Sequence, residues 1–286
     1  MIIRESPGQF CYDAPFTIWI PCMTTLPPDE VFPNPTVLQV VFQIRFPSLF
    51  FIEGRLGDIQ LAIMSQFPES EVRLHRAVLL AQGMDPEAMV KQLPPPESTM
   101  KIWTFKNRLG VVVELKQDSL TILSTQHKSY KTGPGSFRSV IEFVLASLLK
   151  LVPIPVVTRL GLRYIDACPV PNFSTDGIAS YYNSTLPLNR FGAESISGEM
   201  VMRATVARGQ NRRLQYAEQL QPADATTGTP AKLILDFDAS AENIIPESIL
   251  SVADDLHSLI RAEFEATIKQ PVIDWMRTPL NTGIQK

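Results

Sequence analysis

The sequence has few of the residues that usually carry chemistry. Its three cysteines, Cys11, Cys22 and Cys168, are widely spaced and form no CxxC pair, which argues against a disulfide framework and a thiolate metal site. Its three histidines lie in separate predicted elements. No GxSxG elbow, phosphate loop or dinucleotide-binding fingerprint is present. We therefore predict no metal and no cofactor, and the sequence identifies no catalytic residue.

The sequence also lacks a large excess of either charge and has few long apolar runs. The formal net charge is −3, so no overall field would concentrate nucleic acid or anionic lipid on the protein. Glu142 and Lys150 bracket the apolar part of the best membrane-segment candidate. Glu5 and Asp13 lie where a secretory signal would need a basic end and an apolar stretch. These features predict a cytoplasmic protein without membrane contact.

Proline is concentrated at the start of the chain, where residues 1–35 contain seven prolines. Proline fixes φ and removes a strand donor, so this region is predicted to be an arm. Its apolar residues are Phe10, Phe16, Ile18, Trp19 and Ile20. An exposed patch of this kind would be sticky, so we expect the arm to lie against the body or to join a second copy in a homo-oligomer.

The rest of the chain contains two segments with the same order of elements. Residues 36–152 are predicted as strand, helix, four strands and helix, and residues 153–286 as strand, short helix, three strands and long helix. FQIRF at 42–46 and LGLRY at 160–164 are also similar. We predict an α+β fold with a curved, largely antiparallel sheet. It would consist of a pseudo-duplicated β-α-β(3-4)-α unit with the long helices on one face and one shared core.

Hydrophobic periodicity gives the spans of these elements. The predicted strands are 37–46, 71–81, 101–106, 110–116, 119–125, 155–167, 196–207, 211–219 and 231–238, and the predicted helices are 55–66, 137–151, 176–184 and 246–269. In the last helix Ile249, Leu256 and Ile260 belong to an apolar stripe with i, i+3, i+4 spacing. This stripe is predicted to pack on the sheet.

Arginine dominates the polar face of the predicted sheet. Period two places Arg45, Arg163 and Arg203 away from their apolar neighbours, and repeat symmetry predicts that Arg45 and Arg163 lie near each other at the centre. Such a face could bind phosphate or carboxylate through bidentate hydrogen bonds. Alternatively, the arginines are solvated or paired with nearby carboxylates. The candidate carboxylates are Asp166, Glu199, Asp236 and Asp238.

Two further segments are rich in basic residues. The hairpin VARGQNRRLQY at 206–216 contains Arg208, Arg212 and Arg213, which could engage a nucleic-acid backbone or an acidic protein surface. The alternative is ordinary solvent-facing charge at a hairpin tip. The glycine-containing loop at 126–138 enters a helix whose amides attract anions, but it lacks the residue order of known phosphate loops. The start of the following helix would by itself explain the composition of this loop.

Three segments resemble a known family. They are NPTVLQVVFQIRF at 34–46, LTILST with the following Tyr130 and Phe137, and RLGLRYID at 159–166. They resemble a sporadically distributed, functionally uncharacterised bacterial family with an E-V-V-x-E-I-R-F-like first strand and an R-x-G-L-R-Y-like central strand. The resemblance extends from about residue 34 to the C-terminal helix. Gln39 and Gln43 stand where the family often has glutamate, and the resemblance implies no substrate, cofactor or catalytic residue.

These observations leave three functions open. The first is a non-enzymatic binding or interaction protein with a protein partner; the sporadic distribution of the family implies a mobile or defence-associated bacterial locus. The second is a nucleic-acid-binding or processing protein that uses the arginine face and the basic hairpin. The third is a small-ligand binder or enzyme with a pocket between sheet and helix. Whether the protein is an enzyme stays open.

Overall fold

The computed structural model describes residues 26–27, 30–75, 100–133, 135–209 and 211–279. The strands in these ranges are β1 (Val37–Arg45), β2 (Glu69–His75), β3 (Met100–Lys106), β4 (Val111–Leu115), β5 (Ser119–Ser124), β6 (Val157–Pro169), β7 (Met200–Ala207), β8 (Arg212–Gln221) and β9 (Lys232–Ile244). The α-helices are α1 (Leu56–Ile63), α2 (Phe137–Leu151), α3 (Thr175–Tyr181), α4 (Leu188–Phe191), α5 (Ile249–Thr267) and α6 (Gln270–Arg277). Short 3-10 helices occupy Phe50–Arg55, Ala193–Ser195 and Pro246–Ser248.

The nine strands form one antiparallel sheet in the order β2-β3-β4-β5-β1-β6-β9-β8-β7. The first strands of the two halves, β1 and β6, are neighbours at its centre. Phe42 lies opposite Leu162, and Ile44 lies opposite Leu160. The two matching pentapeptides are therefore related by a pseudo-twofold axis close to the pair Gln43 and Gly161. The α+β class and the antiparallel sheet predicted from the sequence are confirmed.

One face of the sheet is apolar because every second residue of the central strands is apolar. Val40, Phe42 and Ile44 of β1 are completely buried there. The helices α2 and α5 cover this face, and α5 contributes Leu256 and Ile260 to the core. Burial of each large apolar side chain stabilises the fold by about 1.5–3 kcal/mol. The predicted amphipathic packing of the last long helix is thus confirmed.

Several helix and strand boundaries differ from the predicted ones. The helix predicted at 246–269 ends at Thr267, and α6 begins at Gln270 with Pro271 in its first turn. Proline lacks the N–H that would continue α5, and its ring would clash with the carbonyl of the residue four positions earlier. In addition, β9 continues to Ile244 because it pairs along the whole length of β6. Residues 76–81 of the strand predicted at 71–81 lie outside the described residues.

The described part of the proline-rich arm lies against the body. Glu30 accepts two hydrogen bonds from Arg277, at 2.7 and 2.8 Å, and the backbone N–H of Asn34 donates to the carbonyl of Met276 at 3.1 Å. Leu26 is buried in the core. The predicted apolar segment at 10–20 lies outside the described residues. Within the described ranges, no helix combines the length and the hydropathy needed to cross a membrane.

Candidate functional site

Arg45, Arg163 and Arg203 lie on the outer face of the sheet, as period two predicted, but Arg163 and its neighbour on β6, Arg159, are each paired with a carboxylate. Arg163 donates to both carboxylate oxygens of Asp236, at 2.7 and 2.6 Å, and Arg159 donates to Asp238 at 3.1 Å. Arg159 can lie along its strand because the next outward residue is Gly161, where a Cβ would approach Arg159 Nη1 to 2.6 Å. For these two arginines the ion-pair alternative is the correct one.

Arg45 and Arg163 lie farther apart than the symmetry of the repeat predicted. Arg45 lies opposite Arg159, whereas Arg163 lies opposite Val41. Arg45 and Arg163 are therefore offset by four residues, or about 13 Å along the strands. Arg45 donates instead to Gln43 at 3.0 Å. The two arginines share a face without forming one central cluster, because the pseudo-twofold axis passes between them.

Two other candidates, Arg203 and Arg213, also lie on this outer face. Arg203 is paired with Ala217 across the β7–β8 hairpin, and Arg213 is paired with Ser240 on β9. Arg203 and Arg163 line a depression that also contains Asp236 and Asp238. The depression therefore combines both signs of charge and is not purely basic.

The basic hairpin is largely paired with helix α5. Arg208 donates to Glu263, and Arg212 donates to Asp255 at 2.6 Å. These two of the three hairpin arginines therefore each have an acidic partner on α5. Alternation along β8 turns Arg212 towards the helices, where acidic residues from a distant part of the sequence meet it.

The glycine-containing loop is fastened to α5 through Asp254. Tyr130 Oη donates to this carboxylate at 3.0 Å, Arg138 Nε donates at 3.0 Å, and Lys131 Nζ lies 3.4 Å away. The hydrogen bond to Asp254 is the main cause that raises the pKa of Arg138. Ser136 caps α2 by accepting from the backbone N–H of Ser139. Lys131 and Arg138 therefore hold the loop beside α5.

This loop forms one wall of a cavity of about 170 Å³ between the sheet and α5. The other walls come from the end of the arm, from β6 and from α5. Its lining residues include Phe32, Thr36, His127, Tyr130, Tyr164, Asp166, His257, Ile260, Phe264 and Met276. The exposed side chains of Lys128 and Lys131 lie at its rim. Sheet, helix and loop thus meet at a mixed aromatic and polar space.

Tyr164 is the central polar residue of the cavity. Its side chain is only 6% exposed, and its Oη has no hydrogen-bond partner among the described residues. The rings of His127 and His257 lie 5.3 and 5.9 Å from its ring, and Tyr130 stacks on His257 at 3.9 Å. The aromatic wall of the cavity therefore contains a buried hydroxyl that has no hydrogen-bond partner among the described residues.

Burial shifts the pKa of each of three titratable groups near Tyr164 in the direction that favours the neutral form. Burial lowers the pKa of His127 to about 4 and that of His257 to about 3, so both imidazoles are uncharged at neutral pH. Burial raises the pKa of Asp166 to about 7, although a 2.7 Å hydrogen bond from Thr36 opposes this shift. This environment disfavours charge of either sign, and it offers neutral donors and acceptors.

Sequence reasoning missed this convergence. His127 and His257 are far apart in the chain, so no spacing rule relates them, and the described residues contain no group of three or more potential ligands suited to a metal. Asp166 was expected as a partner for the arginine face, which is wrong. Alternation with Leu162 and Tyr164 places Asp166 on the helical face, where it is 3% exposed. This alternation in the sequence was the signal that could have placed Asp166 on the helical face.

Comparison of the chain with protein-family models, curated proteins and solved structures gave no match. The family resemblance inferred from the sequence stays a prediction.

Proposed function

We propose that this protein binds a small molecule in the cavity between β6, α5 and the loop at 127–132. One observation carries the proposal: Tyr164 belongs to the cavity lining, and its buried Oη has no hydrogen-bond partner among the described residues. Most buried polar side-chain atoms in proteins are hydrogen-bonded, so an exception calls for an explanation. A polar atom of a ligand would complete the hydrogen bonding of this hydroxyl.

The way in which the walls are fastened supports the proposal. Asp254 holds the loop on α5, Arg261 donates to the carbonyl of Leu26, and Glu30 is paired with Arg277. Each contact joins a loop or the arm to a helix. Walls that are held in place before binding reduce the entropy cost of association.

The small-ligand hypothesis is favoured over nucleic-acid binding because of how the arginines are paired. Of the six candidate arginines, Arg163, Arg208 and Arg212 each form an ion pair with a carboxylate. An arginine that is paired in this way is less available for a phosphate. A cytoplasmic setting remains part of the proposal.

A protein-binding role is a second candidate, and exposed apolar side chains favour it. They belong to the 3-10 turn before α1, to α1 and the residue that follows it, and to the edge strand β2. They are Phe50, Phe51, Leu61, Met64, Val72 and Leu74. Gln60 of α1 donates to Ser70 of β2 at 3.0 Å, so the helix and the edge strand are neighbours. Apolar surface beside an open sheet edge is typical of a contact site.

The cavity proposal can be tested by ligand-observed NMR with single-ring probes: phenol, toluene, benzoate and benzylammonium. The variant Phe264→Trp adds bulk to a half-buried side chain of the cavity wall. Leu259→Trp is the matched control, since Leu259 is a half-buried residue of the same helix outside the lining. We expect Phe264→Trp to weaken probe binding at least about tenfold and Leu259→Trp to leave it unchanged. Equal binding by both variants would reject the cavity as the site.

A further inference from the structure

We infer that the cavity selects a neutral, single-ring aromatic molecule whose polar group forms a hydrogen bond with Tyr164 Oη. This inference rests on the binding function proposed above and specifies its ligand class. Size, wall chemistry and the distribution of charge each support it.

The volume of the cavity matches one ring with a small substituent. The cavity measures about 170 Å³. Apolar cavities of about 150 Å³ accommodate benzene, whereas sites for drug-sized ligands usually begin at about 300 Å³. A phenol or a substituted pyridine therefore matches the space.

The walls favour an aromatic ligand over a saturated one. Tyr130 and His257 form a stacked pair with an interplanar angle of 7°, and Phe264 and Phe32 add further aromatic lining. His127 meets Tyr164 edge to face at 88°. A planar ring can join these neighbours by stacking or edge-to-face contact, both of which are preferred aromatic geometries.

Charge is confined to the rim, where most of it is already paired. Lys131 lies 3.4 Å from Asp254, Glu30 is paired with Arg277, and Arg261 bonds Glu265 at 2.7 Å. In the interior, burial keeps both imidazoles uncharged and raises the pKa of Asp166 to about 7. A charged ligand would lose its hydration in the cavity, and burial opposes the ionisation of Asp166, the interior carboxyl that could pair with a cation.

The hydrogen-bonding groups match one neutral polar substituent. Tyr164 Oη can donate or accept, and each neutral imidazole has one donor and one acceptor. A phenolic hydroxyl and a pyridine nitrogen share this chemistry, and both could meet Tyr164. The aldehyde or amide of a small aromatic compound would serve in the same way.

The experiment compares dissociation constants for phenol, toluene, benzoate, benzylammonium and cyclohexanol, measured by NMR titration of the wild type and of Tyr164→Phe. We expect wild type to bind phenol at least about tenfold more tightly than either charged probe or cyclohexanol. Tyr164→Phe should weaken phenol binding by about three- to tenfold, the value of one hydrogen bond, and leave toluene binding unchanged.

The outcomes separate the ligand class from the binding function. Benzoate or benzylammonium bound as tightly as phenol would overturn the neutral class, and equal losses of phenol and toluene in Tyr164→Phe would overturn the role of Oη. In both cases the proposed binding function would still hold if Phe264→Trp abolishes binding of the probe. If Phe264→Trp weakens the binding of none of the probes, both the ligand class and the proposed binding function are overturned. If Tyr164→Phe does not fold, the order of the probes on wild type decides alone.

Discussion

Tyr164→Phe should stabilise the ligand-free protein although it weakens binding. The substitution removes one oxygen atom and retains the ring, whose packing contributes to the core. An unsatisfied buried polar group costs about 1–3 kcal/mol, so removal of the orphaned hydroxyl should increase the free energy of unfolding by about 1 kcal/mol. For a chain of this size, that gain corresponds to about 2 °C in the melting temperature.

The matched control is Tyr182→Phe. Tyr182 is 1% exposed, and its Oη donates to the carbonyl of Pro169. Loss of this hydroxyl leaves the carbonyl of Pro169 with one donor fewer, so the control should be destabilised by about 1 kcal/mol. Urea unfolding of both variants and wild type, with equal m-values, provides the comparison. Destabilisation of Tyr164→Phe by the same amount as the control would refute the reasoning, since it would mean that Tyr164 Oη is already paired.

Three other outcomes follow from the same contacts. Asp166→Asn should gain stability over wild type as pH rises from about 4 to about 7, because the pKa of Asp166 is about 7 in the folded protein and 3.8 in the unfolded chain, so ionisation favours the unfolded chain over this range. A pH-independent difference in unfolding free energy would contradict this. Asp254→Asn should accelerate amide exchange in the loop at 127–132, and unchanged exchange would show that the fastening is unimportant. Leu256→Ala should cost about 2–5 kcal/mol by chemical denaturation, and wild-type stability would contradict its burial.

Much of the architecture could be predicted because it depends on local periodicity. The alternation of FQIRF and LGLRY predicts two half-buried strands, and the order of elements predicts their equivalence. The structure places both strands at the centre of the sheet, as expected of a duplicated unit. The 15-residue helix Phe137–Leu151 begins and ends at the residues its apolar stripe indicated.

The site could not be predicted in the same way because its members come from distant parts of the chain. Asp255 and Glu263 meet the hairpin arginines only after α5 has been laid across the sheet. His127 and His257 share no local pattern, and their proximity to Tyr164 depends on the packing of the loop and α5 on β6. Period two does indicate which face of β6 a residue occupies, but it does not show that a cavity lies above that face.

The most direct test of the account is a crystal structure of the protein with phenol at a concentration that saturates binding in solution. The account predicts phenol in the cavity between β6 and α5, with its oxygen about 2.7–2.8 Å from Tyr164 Oη. Phenol bound elsewhere, or bound in the cavity with its oxygen directed away from Tyr164, would contradict the central claim.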